Sequence, residues 1–233
     1  MPREPSVSPR TPFSRKLRQF RSRLRRFFPG LFVFGKGITL MYSRRSFLRQ
    51  AGYWESVRTK KPCRADGSPL PWMNYGVIAF LEDRLDRSMK LFEYGSGNST
   101  LFFAEHVGRV VSVECDQGWH DYVKASLPDN VELLYSPKGG EEYVSIIEQR
   151  DEKYDVVVVD AEDRVACMLN AEKGLSDGGV ILLDDSENRE FDRGMDELVS
   201  RGFRRLDFEG LKAGSIRCVR TTVFYRPGNC FGI

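Results

Sequence analysis

Apolar and polar positions follow two alternating patterns from residue 73 onward. Short runs of consecutive apolar residues end in an acid, as in "VVSVE" at 110–114, "YDVVVVD" at 154–160 and "GGVILLD" at 178–184. Such runs are typical of parallel strands that are buried on both faces of a sheet. The segments between them carry apolar residues at helical spacing. This alternation predicts an α/β fold with an open, doubly wound sheet.

The order of the predicted elements extends this pattern to the C-terminus. The predicted strands are 90–94, 109–114, 131–135, 154–159 and 179–184, and the predicted helices are 73–87, 98–107, 118–126, 140–151, 163–174 and 188–201. Two further apolar segments, "FRRLDFEG" at 203–210 and "TTVFYR" at 221–226, have no helix between them. We therefore expect an antiparallel strand pair at one edge, which completes a seven-stranded, mostly parallel sheet.

The residues before residue 73 have a different pattern. Residues 60–72, "KKPCRADGSPLPW", are rich in proline, and they predict a connector between an N-terminal arm at 1–59 and a domain at 73–233. Within the arm, apolar residues recur at helical spacing among many arginines, which predicts an amphipathic helix that ends near Pro29. The apolar face of this helix consists of Leu17, Phe20, Leu24, Phe27 and Phe28, and "LFVF" at 31–34 follows it.

The positive charge of the chain is concentrated in the arm. Residues 1–50 contain 13 Lys or Arg and one acid, whereas residues 51–233 contain 23 basic and 32 acidic residues. A basic amphipathic helix is typical of a segment that lies on an anionic membrane surface, and this is one interpretation of the arm. Packing on the domain and a solvated tail are the alternatives. The acidic balance of the remainder argues against a broad nucleic-acid-binding face.

Signals for a cellular compartment are weak. No segment reaches the roughly 20 apolar residues of a membrane-spanning helix. "SRRSFLRQ" at 43–50 resembles a twin-arginine export signal but lacks the apolar stretch that should follow, and the acid-poor N-terminus also fits an organellar transit peptide. The five scattered cysteines predict reduced thiols and no zinc site. We expect a cytoplasmic protein, and a peripheral contact of the arm with a membrane surface stays open beside the other interpretations of the arm.

A glycine turn follows the first predicted strand, in "FEYGSGNST" at 92–100. A dinucleotide-binding turn, G-x-G-x-x-G, would need a third glycine where Thr100 stands, so a dehydrogenase is the weaker interpretation. About 20 residues further on, Glu114 ends the second strand, where a carboxylate can accept hydrogen bonds from both hydroxyls of a ribose. Asp116 is the alternative partner for the ribose.

Taken together, these residues resemble the class I S-adenosylmethionine-dependent methyltransferases. The resemblance rests on acid-x-G-x-G after the first strand, on acids after the second and fourth strands, and on the terminal strand pair, and it spans roughly residues 73–233. "GSGNSTL" at 95–101 is similar to a bacterial subgroup that acts on small molecules. The resemblance implies S-adenosylmethionine as the cofactor. The implied contacts are Glu93, Gly95, Ser96, Gly97 and Ser99 for the methionine half, with Ser99 in place of a usual glycine, and Glu114 and Asp116 for the ribose.

Methyl transfer is an in-line displacement, in which a protein aligns the two reactants and in some cases removes a proton. The resemblance implies catalytic roles for Asp160 and Asp185; a helix cap is the structural alternative for Asp160. Asp160, Asp184 and Asp185 also resemble the magnesium site of catechol-type O-methyltransferases. The match is partial, because that site has Asp-Asn where this chain has Asp-Asp. We do not favour a divalent metal here.

The aromatic residues of "PWMNYG" at 71–76 stand just before the first helix of the domain. Trp72 and Tyr75 fit a lid over the cofactor or the substrate, and they equally fit ordinary anchoring in the core. Both interpretations stay open at this point.

The function that the sequence favours is S-adenosylmethionine-dependent O-methylation of a small molecule. One alternative is a membrane-recruited binding module with a nucleotide fold and without strong catalysis. The other is an NAD-dependent oxidoreductase. The methyl acceptor depends on loops whose residues carry no recognisable signal.

Overall fold

The computed structural model describes residues 20–137 and 140–233, apart from residues 21 and 24. The chain forms two compact units, Met1–Gln50 and Ala51–Ile233. This boundary lies earlier than the predicted one, because residues 51–72 pack into the second unit. The Ser56 hydroxyl donates to the carbonyl of Cys63 at 2.9 Å, and the side chains of Cys63 and Leu70 are buried.

A central sheet organises the second unit. Its strands are β1 (Lys90–Tyr94), β2 (Arg109–Glu114), β3 (Val131–Tyr135), β4 (Tyr154–Val159), β5 (Leu175–Leu183), β6 (Arg204–Leu211) and β7 (Cys218–Tyr225). Among the described residues, these seven strands have the order β3-β2-β1-β4-β5-β7-β6. The first five are parallel, and β7 pairs antiparallel with β5 and with β6. The predicted α/β fold with an antiparallel C-terminal pair is confirmed.

Helices connect the strands and cover both faces of the sheet. In the second unit they are α3 (Tyr53–Thr59), α4 (Tyr75–Arg84), α5 (Asn98–His106), α6 (Gln117–Lys124), α7 (Glu141–Ser145), α8 (Arg164–Ala171) and α9 (Asp192–Ser200). Short 3₁₀ turns follow α8 and precede α9. The helix predicted at 140–151 is shorter in the structure, because residues 146–149 form turns after α7.

The first unit contains helices α1 (Pro29–Tyr42) and α2 (Phe47–Gln50). Residues 25–27 are helical and residue 28 is not, so a helix ends near Pro29 as predicted, and Pro29 itself begins α1. Proline suits this position because its φ is already helical and its missing N–H is not needed there. The predicted helix that ends near Pro29 lies mostly outside the described residues. None of the α1 residues is buried. No helix in the described part of the chain is long and apolar enough to cross a membrane.

The core of the second unit lies on both faces of the sheet. Phe92 and its equivalents on neighbouring strands pack toward α7, α8 and α9, whereas Leu91 and its equivalents pack toward α4 and α5. This two-sided burial explains the continuous apolar runs in the sequence. Because β1, β2, β4 and β5 are parallel, their carboxyl ends meet at one edge, where ligands bind in folds of this kind.

Candidate active site

The glycine turn after β1 lies between the ends of two other strands. Gly95 has a φ of 103°, and a Cβ on it would lie 2.5 Å from the carbonyl oxygen of Asp160. The Gly95 N–H donates to Val113 at the end of β2, and the Asp160 N–H donates to Tyr94. Only glycine combines this backbone conformation with this close approach. The turn is therefore packed tightly against β2 and β4.

Thr100 and Glu93 stabilise this turn through hydrogen bonds. The Thr100 hydroxyl accepts from the N–H of Gly97 at 3.0 Å and donates to Glu93 Oε2 at 2.6 Å. Ser112 donates to the same carboxylate oxygen. Burial raises the pKa of Glu93 to about 7, although these hydroxyl contacts oppose the shift. Glu93 was expected to contact the cofactor. In the structure it stabilises the glycine turn through Thr100.

The two acids expected to bind a ribose have different surroundings. Glu114 is buried; its Oε1 accepts from the N–H groups of Cys115 and Asp116, and its Oε2 accepts from the Ser96 hydroxyl at 2.7 Å. Asp116 is exposed and caps α6, where it accepts from the N–H of Trp119 at 2.6 Å. The structure thus brings Glu114 to the glycine turn and gives Asp116 a capping role.

A cavity of about 590 Å³ opens above the turn. Ser96, Gly97, Ser99 and Asp160 line it on the side of the strand ends, so four predicted site residues share one space. The remaining wall comes from Trp72, whose role the sequence left open, and from residues that the sequence did not indicate as site residues. These are Lys60, Lys61, Pro62, Asn98, Leu101, Trp119, Tyr122, Val123, Ala125 and Ser126.

The aromatic part of this wall is fixed by hydrogen bonds. The Trp119 indole donates to the carbonyl of Ser96 at 2.9 Å, and Lys61 Nζ donates to the Tyr122 hydroxyl at 2.6 Å. Trp119 and Tyr122 are three residues apart on α6, a spacing that places them on one helix face and that could have indicated their role. Lys61 carries no such local signal. Trp72 lines the cavity, whereas Tyr75 packs against the core, so only Trp72 fits a lid.

Three carboxylates meet at the ends of β4 and β5. Oxygen atoms of Asp160, Asp184 and Asp185 lie within 4.8 Å of one another. The suggestion that Asp160 caps the following helix is wrong, since the N-cap of α8 is Asp163. Asp160 instead accepts from Arg164.

Burial and the neighbouring charges together raise the pKa values of Asp184, Asp160 and Lys212. Burial raises the pKa of Asp184 to about 7, and the nearby charge of Asp160 adds to the shift. Burial also raises the pKa of Asp160, while Arg164 opposes this change. For Lys212, burial lowers the pKa, but the carboxylates around it outweigh this effect and raise it. The arrangement can therefore hold a proton on a carboxylate near neutral pH.

Solved structures with a similar fold include several methyltransferases. An rRNA methylase from Streptococcus thermophilus is 15% identical, with a TM-score of 0.50, over 64% of this chain and 92% of that one. The O-methyltransferase TomG from Streptomyces achromogenes, in complex with SAM, is 18% identical, with a TM-score of 0.52, over 64% and 77%. Precorrin-6y C5,15-methyltransferase from Geobacter metallireducens is 12% identical, with a TM-score of 0.50, over 64% and 86%.

These similarities show that the second unit has the Rossmann-like methyltransferase fold. No protein-family model matches the sequence, and no curated protein sequence matches it.

Proposed function

We propose that the second unit is an S-adenosylmethionine-dependent methyltransferase that acts on a hydroxyl group of a small molecule. The observation that carries this proposal is the position of the glycine turn. Gly95 brings bare backbone between the buried carboxylate of Glu114 and the half-buried carboxylate of Asp160, at the carboxyl ends of the parallel strands. This is the edge at which ligands bind in open α/β sheets.

The residues around the turn fit the proposed cofactor. Ser96, Gly97 and Ser99 line the cavity, and Gly95 lets the turn approach Asp160 closely. Glu114 offers a buried carboxylate that can accept from ribose hydroxyls, in the position that Ser96 now partly satisfies. Together with Glu93, which supports the turn, these residues would hold S-adenosylmethionine. When bound, this cofactor supplies an electrophilic methyl group.

The proposed chemical roles fall on two carboxylates. Asp160 lines the cavity, and its Oδ1 is engaged by Arg164, so its other oxygen would accept the proton of the acceptor hydroxyl. Asp185 contacts Lys212 and Arg164 and would hold both cations in position. Such alignment, together with the walls that exclude water, accounts for most of what a protein contributes to a displacement of this kind.

The shape and charge of the second unit support a small acceptor. A cavity of about 590 Å³ lies within the usual range for small-molecule sites. Residues 51–233 have nine more acidic than basic residues, which disfavours a polyanion such as RNA as the acceptor. The same fold serves an rRNA methylase, however, so a structured RNA belongs among the acceptors to be tried.

Calorimetry with S-adenosylhomocysteine, the demethylated product, tests the cofactor assignment. We expect micromolar affinity for the full chain, and an affinity lowered by about ten-fold or more in Glu114→Gln, because a neutral amide is a weaker acceptor for ribose hydroxyls. Asp116→Asn is the matched control and should bind nearly as well as the wild type. Binding of NADH without binding of S-adenosylhomocysteine would instead support the oxidoreductase alternative.

The first unit suggests a second role, contact with a membrane surface. None of the α1 residues is buried, Leu31, Val33 and Phe34 are more than half exposed, and Lys36 is the one charged residue of α1. Arginines stand on both sides of α1, at 25 and 26 and at 44 and 45. A helix of 14 residues is about 21 Å long, shorter than the roughly 30 Å of a hydrocarbon core. We therefore propose that α1 lies on an anionic lipid surface.

A further inference from the structure

Two cationic side chains converge on the three carboxylates at the ends of β4 and β5. Lys212 Nζ lies 2.7 Å from Asp185 Oδ1 and 3.4 Å from Asp184 Oδ2. The guanidinium of Arg164 lies 2.5 Å from Asp160 Oδ1 and 3.4 Å from Asp185 Oδ2. Four of the six carboxylate oxygens therefore already have a cationic donor from the protein.

This pairing does not fit a divalent metal ion. Mg²⁺ prefers carboxylate oxygens in octahedral geometry, and three converging carboxylates would by themselves suit it. Here, an ion would have to displace both cations from the oxygens that they hold, or lie beside two positive charges in a partly buried space. Like charges at such distances repel strongly where water is scarce. Lys212 and Arg164 thus compensate the charge that a metal would otherwise compensate.

The backbone fixes Lys212 at this position. Lys212 forms an isolated antiparallel bridge with Asn74, and the neighbouring Ala213 accepts from the Trp72 indole at 3.0 Å. The side chain of Lys212 is 16% exposed. It is therefore held by the loop between β6 and β7 and by the segment before α4, and it is not a mobile surface lysine that meets the acids by chance.

The carboxylate of Asp185 pairs with two cations. Its φ is 53°, a left-handed conformation that is uncommon for a residue other than glycine. In this conformation its two oxygens contact Lys212 and Arg164 separately. An amide would carry no charge to pair with two cations, whereas the aspartate does.

We propose that Lys212, together with Arg164, takes the place of a divalent cation at the Asp160, Asp184 and Asp185 cluster. Lys212 is then a positioning residue: it holds Asp184 and Asp185, and Asp185 shares Arg164 with Asp160. The cluster keeps its shape and its charge balance without a metal ion. This inference stands on the geometry of the cluster and does not require that the proposed methyl transfer be correct.

Titration of the full chain with Mn²⁺ tests this inference, since the electron paramagnetic resonance signal of free Mn²⁺ falls when the ion is bound. We expect no stoichiometric binding by the wild type at millimolar Mn²⁺. Lys212→Ala should bind one Mn²⁺ about ten-fold or more tightly than the wild type, because it frees carboxylate oxygens and removes a positive charge. Mn²⁺ should also raise the melting temperature of this variant and not that of the wild type.

Three further variants make the result specific. Lys212→Arg keeps the cation and should show no gain in Mn²⁺ binding. Lys173→Gln removes a lysine that pairs with Glu148 away from the cluster, and it should behave as the wild type. If Lys212→Ala does not fold, Arg164→Ala frees oxygens of the same cluster and should show the gain.

Two outcomes would overturn the inference. One is stoichiometric Mn²⁺ binding by the wild type with micromolar affinity. The other is the absence of any gain in the folded Lys212→Ala or Arg164→Ala variant. Neither measurement uses S-adenosylmethionine, so failure of this inference and failure of the proposed function can be told apart.

Discussion

Thr100 Oγ1 donates a hydrogen bond of 2.6 Å to Oε2 of Glu93, from the position where a dinucleotide-binding turn would have its third glycine. The same hydroxyl accepts from the N–H of Gly97. A side chain at this position therefore does not obstruct the turn but anchors it to a buried acid of β1. Thr100 departs from the dinucleotide-binding motif, and in this structure its side chain stabilises the glycine turn.

We predict that Thr100→Val destabilises the second unit by about 2 kcal/mol, because it leaves a buried carboxylate and the Gly97 N–H each short of one partner. Urea denaturation measures the loss, and calorimetry should show weaker binding of S-adenosylhomocysteine. Thr100→Ser keeps the hydroxyl and should retain most of the stability. Equal behaviour of the valine and serine variants would show that the hydroxyl does not anchor the turn.

The buried Glu93 predicts a specific pH dependence of stability. Burial raises its pKa from about 4.5 to about 7. Between these values the unfolded chain releases a proton that the folded chain keeps, so the free energy of unfolding falls as pH rises through this window. Glu93→Gln removes this term, and its stability relative to the wild type should therefore increase by about 3 kcal/mol from pH 4.5 to pH 7. Urea denaturation of both proteins at several pH values measures it; a constant difference would contradict the assignment.

The close approach at Gly95 can be separated from its backbone strain. Gly95 and Gly202 both have positive φ, but a Cβ on Gly202 would meet no atom within 4 Å. Gly202→Ala should cost about 1–2 kcal/mol from strain alone. Gly95→Ala should cost about 1–3 kcal/mol more, because its Cβ meets the Asp160 carbonyl. Only Gly95→Ala should also abolish binding of S-adenosylhomocysteine, and equal effects in the two variants would argue against the tight turn.

The membrane proposal predicts a selective effect of one charge. Val33→Glu places a carboxylate on the exposed apolar surface of α1 and should weaken co-sedimentation with vesicles of phosphatidylserine and phosphatidylcholine by about ten-fold. Ile216→Glu is the matched control, since Ile216 is 91% exposed and lies in the second unit. High salt should weaken wild-type binding. If the wild type does not sediment with anionic vesicles, the proposal is wrong.

Local patterns predicted much of the second unit and little of the first. The bounds of β1, β2, β3 and β4 agree with the predicted strands, because each is a short, mainly apolar segment. Helix α1 was not predicted, since three glycines and Lys36 interrupt its apolar sequence. Residues 51–72 were assigned to an arm and a connector, because their burial depends on contacts such as that between Ser56 and Cys63.

The residues of the candidate site also divide into those that the sequence indicated and those that it did not. The glycine turn, Glu114 and the three aspartates are visible in the sequence, because each follows directly on a strand end. The aromatic wall of the cavity comes from other segments, and so does one of the two cations that pair with the aspartates. The other cation, Arg164, stands only four residues after Asp160. Lys212, which pairs with Asp185, stands 27 residues further along the chain on a loop that has no distinctive composition.

The sequence by itself determined the fold class, the order of the strands along the chain and the residues at the strand ends, because hydrophobic periodicity and glycine turns act over a few residues. Only the tertiary structure decided that Thr100 donates to Glu93, that Trp119 donates to Ser96 in the turn, and that Lys212 and Arg164 pair with the aspartates. Most of these contacts, such as those of Lys212 and Arg164 with Asp185, join segments distant in sequence, and they form only when the sheet brings its strand ends to one edge.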